Sequence, residues 1–485
     1  MMKKSSILIF ILLISFVQFT FAQKKKLYTP KIESCPCAFK ADSSLKTRCA
    51  YLIVPENRNK PEGKTIKLPF IVVESNNPQK KKDPVLFTGG GPGAGSLGIV
   101  RSVHRRSIIQ NRDFIAFEQR GTQYALPSLG GNEIGEALKT AFKNNYPKDS
   151  MILEGTKRLR AKLIAQGIDL SAYNTVESAA DIEDLRQALK IDSLNLFGIS
   201  YSGGLMMTVL HNFPAGIRSL ILDSPLPEFI NIDEEEIGNF NEALNTIFRK
   251  CENDSLSRMK YGNLKEKFTR YFNSLEGKTF SVSYAEKEKA EPLSISYSRS
   301  ELIGFLENTL YDFSKIKDIP DIITDMIQGN HEVYIRKFLD DIFHSSGPSG
   351  MRLSVYCSDK MAYAKDKMIQ QQYQLYPYMM GAGYYLNDVY RKMCDCWKVP
   401  PVAADTKTAF YSEVPVLLGA GDTDPACRPL YNDLIHHYMP NSQRLLFLNR
   451  SHGPLIRQDG DIFIGDFLEN PYRKVVSAQA DIIAY

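Results

Sequence analysis

The distribution of apolar residues along the first half of the chain predicts short buried strands that alternate with helices. Apolar and β-branched runs bounded by turn residues are typical of strands. The predicted strands are Cys49–Pro55, Ile66–Val73, Pro84–Thr88, Asp113–Phe117, Leu194–Phe197 and Ser219–Asp223. Before the fifth strand, apolar residues from Val176 to Leu189 recur at the spacing of one helix face. This alternation predicts a mostly parallel sheet covered by helices on both faces.

The alternation stops after Pro225 and resumes near residue 411. The residues between carry acidic, aromatic and Met-rich stretches with helical periodicity, and two more strands follow at Val414–Gly419 and Gln443–Leu448. The simplest arrangement is a mostly helical cap, 225–410, inserted between two strands of one α/β core. That core would comprise residues 23–224 and 411–485. A polar stretch from about 125 to 173 is interpreted as a surface excursion with helical segments.

The first 22 residues have the pattern of a secretory signal. Lys3 and Lys4 precede an apolar run from Ile7 to Val17, and a small residue, Ala22, stands before a polar segment. The apolar run is short for a membrane span, and no cysteine follows that could carry a lipid anchor. We therefore predict an exported protein, periplasmic or extracellular, without a stable membrane anchor.

Composition describes an ordinary globular protein. The chain has 485 residues, 43% of them hydrophobic and 24% charged, with a formal net charge of +5 at pH 7. This balance gives no indication of a nucleic-acid partner. The length exceeds that of one minimal domain, which fits a core with a large insertion.

Eight cysteines follow the predicted signal, and an even number in an exported protein permits disulfides. Their connectivity stays open at this point. Zinc is the competing interpretation for the closely spaced pairs Cys35/Cys37 and Cys394/Cys396. Each pair encloses a single residue and has no Cys-x-x-Cys partner nearby, so we predict no metal site.

A sharp strand–turn–helix pattern surrounds Ser200. The strand ends in Gly198-Ile199-Ser200-Tyr201-Ser202, and a helix-like apolar segment follows. Such a turn needs small residues two positions either side of its apex, and Gly198 and Ser202 fill both places. Ser200 is then a nucleophile, with the N–H of Tyr201 directed at the oxygen of an acyl group under attack. The alternative is an ordinary serine in a glycine-rich turn.

A glycine-rich loop follows the third predicted strand. Residues 89–96 include five glycines, which suit a place where backbone approaches a ligand. In a serine hydrolase this loop supplies the second N–H of the oxyanion hole. A phosphate-binding loop is the rival, but neither of its glycine patterns is present in the right frame. A plain flexible loop is the other alternative.

An acid and a histidine end the last two predicted strands. Asp422 and Asp424 follow Val414–Gly419, and His452 follows Gln443–Leu448. The chain order Ser, Asp, His is that of α/β-hydrolases, and ligand-facing groups of such sheets lie at the carboxyl ends of strands. We favour Asp424 as the acid because Pro425 would close its turn, whereas Asp422 would organise the loop.

With these residues in place, the sequence resembles the prolyl and tripeptidyl aminopeptidase group of secreted serine α/β-hydrolases. Four segments carry the resemblance besides the helix before Ser200: Gly89–Gly93, Glu118–Thr122, Gly198–Gly203 and Gly421–Pro425. Three positions depart from the group's pattern. Gly89 stands for its histidine, Glu118 for its aspartate and Ser202 for its glycine.

The resemblance implies a sheet with a helical cap, no cofactor, and cleavage of peptides from a free N-terminus. It makes Ser200, Asp424 and His452 the catalytic triad, and the N–H groups of Gly91 and Tyr201 the oxyanion hole. It also implies two disulfides. One would join Cys35 or Cys37 to Cys49, and the other Cys357 to Cys394 or Cys396.

An exopeptidase must recognise the α-amine of its substrate, and a carboxylate facing the pocket is the physical means. Glu228, where the chain leaves the strand after Ser200, is the candidate, with Glu234 to Glu236 behind it. A solvated acidic face is the alternative. The competing functions are an esterase-type hydrolase, which uses the same triad, and a non-catalytic binding protein on a hydrolase scaffold.

Overall fold

The computed structural model of the chain describes residues 28–286, 291–379 and 387–485. The predicted signal, residues 1–22, lies outside the described residues. Within them, ten strands form one sheet and two form a hairpin. The strands are β1 (Lys31–Ser34), β2 (Thr47–Pro55), β3 (Thr65–Val73), β4 (Val85–Thr88), β5 (Phe114–Phe117), β6 (Leu194–Ile199), β7 (Ile217–Asp223), β8 (Phe280–Tyr284), β9 (Leu293–Tyr297), β10 (Val416–Gly421), β11 (Ser442–Phe447) and β12 (Ile482–Ala484).

The large sheet has the order β1-β2-β3-β5-β4-β6-β7-β10-β11-β12. The central strands from β5 to β11 are parallel, whereas β1, β2, β3 and β12 pair antiparallel with their neighbours. The central strands β4, β5 and β10 are buried along their whole length. Near-continuous apolar strands are typical of a sheet covered on both faces, and the predicted α/β fold is confirmed.

Helices cover both faces of this sheet. The helices are α1 (Ile108–Asn111), α2 (Glu133–Asn144), α3 (Lys148–Ala165), α4 (Thr175–Ala188), α5 (Tyr201–Asn212), α6 (Glu236–Asn253), α7 (Ser255–Tyr261), α8 (Leu264–Ser274), α9 (Arg299–Tyr311), α10 (Ile319–Ile327), α11 (Glu332–His344), α12 (Gly350–Val355), α13 (Asp366–Leu375), α14 (Asn387–Trp397), α15 (Pro429–Tyr438) and α16 (Gln458–Glu469). One buried cluster joins α4, α5 and α15 to the sheet, and another joins α1 and α16 to its opposite face.

A long helical segment lies between two strands that are direct neighbours. β7 and β10 pair in parallel, with Ile221 opposite Leu417, although the chain between them includes α6 to α14. Apolar side chains of α6, α8, α9, α10 and α11 in this segment belong to a third buried cluster. It also contains the hairpin β8–β9, which the sequence analysis does not predict. The domain boundaries predicted at residues 225 and 410 stay predictions.

The stretch from 125 to 173 is more than a surface excursion. Its helices α2 and α3 bury Leu138, Phe142 and Leu159 in the same cluster as the helical segment. A Cβ added at Gly135 would lie 2.4 Å from the carbonyl oxygen of Ser345, so the two backbones touch. The sequence analysis did not predict this contact, because each helix has only a narrow apolar face among polar residues.

Two disulfides decide between the alternatives left open by the sequence. Cys37 pairs with Cys49, and Cys357 with Cys394, which leaves Cys35 and Cys396 free. Over the described ranges, no group of three or more potential ligands could hold a metal ion. No helix in that part of the chain has the length and apolar character needed to cross a membrane.

Candidate active site

Ser200 occupies the sharp turn between β6 and α5. The strand ends at Ile199 and the helix begins at Tyr201, so Ser200 alone joins them. Its φ of 58° and ψ of −128° are strained for a residue with a side chain. A Cβ added at Gly198 would lie 2.4 Å from the carbonyl oxygen of Ser202, which explains the need for a small residue.

Ser202 replaces the glycine of the resembling group without disturbing the turn. Its side chain is fully buried, and its hydroxyl accepts a hydrogen bond from the N–H of Ile199 at 2.8 Å. The same hydroxyl lies 2.8 Å from the carbonyl oxygen of Thr88 and 2.9 Å from that of Ile199, its possible acceptors. The hydroxyl therefore ties the turn to the end of β4.

The glycine-rich loop lies directly against Ser200. A Cβ added at Gly90 would lie 2.6 Å from the carbonyl oxygen of Ile199 and 3.0 Å from Cβ of Ser200. Gly91 has a φ of 111°, which favours glycine, and its carbonyl oxygen accepts a hydrogen bond from Arg352 Nη1 at 2.7 Å. The assignment of the Gly91 and Tyr201 N–H groups to the oxyanion hole stays a prediction.

Glu118 and Gln119 hold this loop from within the core. The Gln119 amide donates to the carbonyl oxygen of Gly89 at 2.6 Å, and Glu118 Oε2 accepts from the N–H of Ser96 at 2.8 Å. Their neighbour Arg120 is fully buried and forms an ion pair with Asp181 at 2.7 Å. The motif at the end of β5 is therefore structural and positions the loop.

His452 contacts the acid that the sequence analysis favours. Its Nδ1 lies 2.8 Å from Asp424 Oδ2, and Asp424 Oδ1 accepts the N–H groups of Ala426 and Cys427 at 2.9 Å each. A Cβ added at Gly453 would lie 2.6 Å from Cδ1 of Ile199. The residue after His452 is thus packed against the residue before Ser200.

The electrostatics of this pair favour a base. Burial disfavours the Asp424 carboxylate, but His452 and the two N–H donors hold its pKa below the ordinary value. Burial also disfavours the His452 imidazolium. The charge of the Asp424 carboxylate outweighs this effect of burial, so the pKa of His452 is raised. An imidazole with this partner can take a proton from a serine hydroxyl and hold it.

Asp422 has a different task. Its Oδ2 pairs with Lys250 Nζ at 2.5 Å, and its Oδ1 accepts the N–H of Asn449 at 2.9 Å. The contact with Asn449 joins the loop after β10 to the loop after β11, and the ion pair joins the loop after β10 to α6. Asp422 therefore organises the loop that carries His452.

Asp223 and Ser224, at the end of β7, fix the segment after His452. The Asp223 carboxylate accepts the N–H groups of Leu455 and Ile456 at 2.9 and 2.8 Å, and Ser224 Oγ accepts that of Gly453 at 3.0 Å. Burial raises the pKa of Asp223 to about 7. The sequence shows Asp223 only as the end of a strand, so this positioning contact was missed.

Two more side chains that sequence reasoning missed lie close to His452 and Ser200. Tyr311 packs edge-on against His452, with 5.6 Å between ring centroids, and is 39% exposed. The buried thiol of Cys427 lies within hydrogen-bonding reach of the Ser200 hydroxyl, and burial raises its pKa. The position of Cys427, three residues after Asp424, was the available signal. Tyr311, at the end of a helix 141 residues before His452, gives no such signal.

Glu228 does not present a free carboxylate. It is buried, its Oε1 lies 3.2 Å from Lys360 Nζ, and its Oε2 pairs with Lys407. Burial opposes its ionisation, but the two lysines hold its pKa below the ordinary value. Since two protein ammonium groups already neutralise Glu228, the amine-binding role predicted for it lacks support here.

The acidic residues behind Glu228 differ among themselves. Glu234 accepts the N–H of Lys365 at 2.8 Å, and Glu235 accepts the hydroxyl of Tyr431 at 2.7 Å. Asp233 is fully buried, and within the described ranges no other residue donates a hydrogen bond to its carboxylate. Burial raises the pKa of Asp233 to about 7, although Lys360 and Arg352 oppose the shift.

A model of the α/β-hydrolase fold family matches residues 83–457. The chain belongs to the α/β-hydrolase fold family. With Ser200 in the sharp turn between β6 and α5, the elbow, and an Asp–His pair in contact, this member is a serine hydrolase. The match spans the glycine-rich loop, the elbow, the helical segment and both loops that carry Asp424 and His452.

The relatives of this α/β-hydrolase include peptidases. The serine protease Hip1 of Mycobacterium tuberculosis is 22% identical over 407 residues, 78% of this chain and 76% of that protein. The tripeptidyl aminopeptidase of Streptomyces lividans is 27% identical over 192 residues, 36% of this chain and 35% of that protein. They confirm the resemblance to the aminopeptidase group. The proline iminopeptidase structure of Mycobacterium smegmatis has a TM-score of 0.39 and 12% identity, covering 87% of this chain and 98% of that one.

Proposed function

We propose that this α/β-hydrolase is an exported serine aminopeptidase that releases one amino acid or a short peptide from the free N-terminus of peptides. The observation that carries the proposal is the 2.8 Å contact of His452 with Asp424, in a loop packed against the strained turn of Ser200. The peptidase names of the relatives, Hip1 and tripeptidyl aminopeptidase, support a peptide substrate. Two disulfides and the leader-like first 22 residues support export.

The reaction would proceed through an acyl-enzyme on Ser200. Ser200 Oγ attacks the carbonyl carbon while His452 takes its proton, and Asp424 stabilises the imidazolium. The N–H groups of Gly91 and Tyr201 would hold the oxyanion. His452 then gives the proton to the departing amine, the C–N bond breaks, and a water activated by His452 releases the acyl group from Ser200.

We assign recognition of the α-amine to Asp233 rather than to Glu228. The charge of Arg352 opposes the raised pKa of Asp233, and Arg352 contacts the glycine-rich loop at Gly91. A buried carboxylate without a hydrogen-bond donor is costly, and a substrate ammonium would supply both donor and charge. Glu228 already has two lysine partners.

Labelling and substrate profiling test the proposal. A fluorophosphonate probe should label the wild-type protein and should not label the Ser200→Ala variant. Arylamides of one to three residues should be cleaved faster when their N-terminus is free than when it is acetylated, and faster than simple acyl esters when compared by kcat/KM. A preference for esters, or equal cleavage of N-acetylated substrates, would contradict an aminopeptidase.

A matched pair of variants separates the two acidic candidates. Asp233→Asn should reduce kcat/KM for free N-terminal substrates by at least about tenfold, as expected for loss of a buried charge-assisted hydrogen bond. Activity on N-acetylated substrates should not change in that variant. Glu228→Gln should leave the ratio of free to acetylated substrate unchanged. The reverse pattern would return the role to Glu228.

A further inference from the structure

One stretch of the helical segment is connected to both residues proposed for the oxyanion hole. It consists of α12 and the π-helical turn Tyr356–Met361 that directly continues it. Arg352 of α12 contacts Gly91, and Asp359 of the turn is connected to Tyr201. Single π-helical turns within helices occur frequently at functional sites.

Arg352 holds the glycine-rich loop at Gly91. It donates from Nη1 to the carbonyl oxygen of Gly91 at 2.7 Å and from Nε to the hydroxyl of Tyr390 at 2.9 Å. The preceding carbonyl oxygen, that of Gly90, accepts the N–H of Ala94 at 3.2 Å. Both peptide groups that flank the α-carbon of Gly91 are therefore held, and the first of them contains the N–H of Gly91. The bond from the guanidinium is the stronger kind, because its donor is charged.

The same helix touches the loop at a second point. A Cβ added at Gly93 would lie 2.8 Å from Ser349 Oγ and 3.7 Å from Cβ of Arg352. Ser349 caps α12 by accepting the N–H of Arg352 at 3.2 Å. The guanidinium carbon of Arg352 lies 4.6 Å from the centroid of the Tyr356 ring. Packing on both sides therefore keeps Arg352 against the loop.

Asp359 is connected to Tyr201 through one threonine. Its Oδ2 accepts the N–H of Thr175 at 2.9 Å and also accepts the Thr175 hydroxyl. That hydroxyl lies 2.9 Å from the hydroxyl of Tyr201, which is then the donor to it. All three side chains are buried. Two hydrogen bonds in series thus tie the ring of Tyr201 to the π-helical turn.

The orientation of Tyr201 decides where its N–H points. Tyr201 is the first residue of α5, and the N–H groups of a first helical turn have no acceptor within their helix. The ring and the N–H are attached through the same α-carbon, so a ring held at its hydroxyl limits rotation of the residue. A misplacement of about 1 Å at a reacting centre can reduce the rate about 100-fold.

We propose that Arg352 and Asp359 are positioning residues of the oxyanion hole, Arg352 for the N–H of Gly91 and Asp359 for that of Tyr201. The inference rests on the proposed function, which includes the oxyanion hole. The negative charge that these N–H groups stabilise develops only in the transition state. Loss of either positioning residue should therefore lower kcat and leave KM nearly unchanged.

Arg352→Gln tests the first assignment, with Arg160→Gln as its matched control. Arg160 also donates to a backbone carbonyl oxygen at 2.7 Å, that of Trp397, which has no part in the proposed site. Arg352→Gln should lower kcat at least about tenfold, as expected for loss of a hydrogen bond from a charged donor. The loss should be equal for an arylamide with a free N-terminus and for a simple acyl ester. Arg160→Gln should stay within about twofold of the wild type, and Arg352→Lys, which keeps a charged donor, should recover part of the loss.

Thr175→Val tests the second assignment because it removes the hydroxyl between Asp359 and Tyr201. Thr156→Val is the matched control, since the buried hydroxyl of Thr156 donates to the carbonyl oxygen of Ile152 at 2.9 Å within α3. Thr175→Val should lower kcat about tenfold with KM within about twofold, and Thr156→Val should change neither by more than about twofold. Melting curves show which variants fold. Arg352→Lys and Thr175→Val, the milder changes, decide the outcome if Arg352→Gln does not.

Each matched pair decides its own residue. An unchanged kcat in the test variant, an equal loss in its control, or an effect on KM alone would overturn that assignment. A loss in Arg352→Gln confined to substrates with a free N-terminus would also overturn it, because Arg352 would then act with Asp233 in amine recognition.

The wild type separates this inference from the proposed function. If it cleaves the ester and no arylamide, the proposed aminopeptidase activity is contradicted, and the kcat values for the ester decide the inference. If it cleaves neither substrate, the proposed function is contradicted and the inference fails with it.

Discussion

Two aspartates, two residues apart after β10, have separate tasks. Asp424 contacts His452 Nδ1 at 2.8 Å, whereas Asp422 pairs with Lys250. Asp424→Asn removes the charge that stabilises the imidazolium and should reduce kcat by about 10⁴-fold, as in other serine triads. Asp422→Asn is the control. It should reduce kcat by less than about tenfold because it weakens only a loop contact. Both values follow from arylamide hydrolysis, and equal losses would contradict the assignment.

The pH profile should reflect the raised pKa of His452. The imidazole must be neutral to take the proton of Ser200, and Asp424 raises its pKa despite burial. Activity should therefore fall on the acid side through a pKa above the ordinary value of 6.5. We expect this limb in kcat/KM measured from pH 5 to 9 with an arylamide. A limb at or below 6.5 would show that Asp424 does not govern the base.

Asp233 should make stability depend on pH. Its folded pKa of about 7 exceeds the ordinary 3.8, so the folded state binds a proton that the unfolded state has lost between these values. The free energy of unfolding of the wild type should fall as pH rises through this window, by about 4 kcal/mol at most. Asp233→Asn lacks that proton, so its stability relative to the wild type should rise from pH 4 to 8. Urea unfolding across this range measures the difference, and a constant difference would contradict it.

The residues that the sequence located share one property: their neighbours along the chain reveal them. Ser200 stands in a turn pattern, and His452 ends a strand. The sequence does not reveal the partners of Glu228, because Lys360 and Lys407 are 132 and 179 residues away along the chain. An ion pair between residues so far apart along the chain cannot be recognised from a single sequence.

At the scale of secondary-structure elements, the glycine-rich loop packs tightly against the turn that contains Ser200. Gly90→Ala would place a methyl group 2.6 Å from the carbonyl oxygen of Ile199, so the loop must move away from Ser200. We expect kcat to fall at least about 100-fold, the cost of losing an oxyanion donor. Gly98→Ala is the control because no atom lies within 4 Å of its added Cβ, and it should retain activity. Arylamide kinetics with melting curves would separate loss of geometry from loss of fold.

Local patterning predicted the sheet better than the segment between β7 and β10. Buried parallel strands are apolar throughout, so β4, β5 and β10 were recognisable from the sequence. The hairpin β8–β9 has polar residues on alternate positions and lies among helices, which masked it. The burial of α2 and α3 depends on contacts with distant helices and could not be predicted from their polar sequence.

At the scale of the whole molecule, the Cys357–Cys394 disulfide links distant parts of the helical segment. It joins the π-helical turn Tyr356–Met361, which carries Lys360, to α14 across 37 residues. Replacing both cysteines by alanine should lower the free energy of unfolding by about 3–4 kcal/mol, the loop-closure value for this length. Cys37 and Cys49 are only 12 residues apart. Replacing both should lower the free energy of unfolding by about 1 kcal/mol less than replacing Cys357 and Cys394. Denaturant titrations test the order, and a reversed order would contradict the chain-entropy account.

The helical segment separates the two loops that form the Asp424–His452 pair from Ser200 by more than 200 residues of chain. During synthesis, the proposed nucleophile is therefore made long before the proposed base, and a chain that ends within the segment lacks the Asp424–His452 pair. The proposed active site can therefore assemble only after β10, β11 and the loops that follow them have been made.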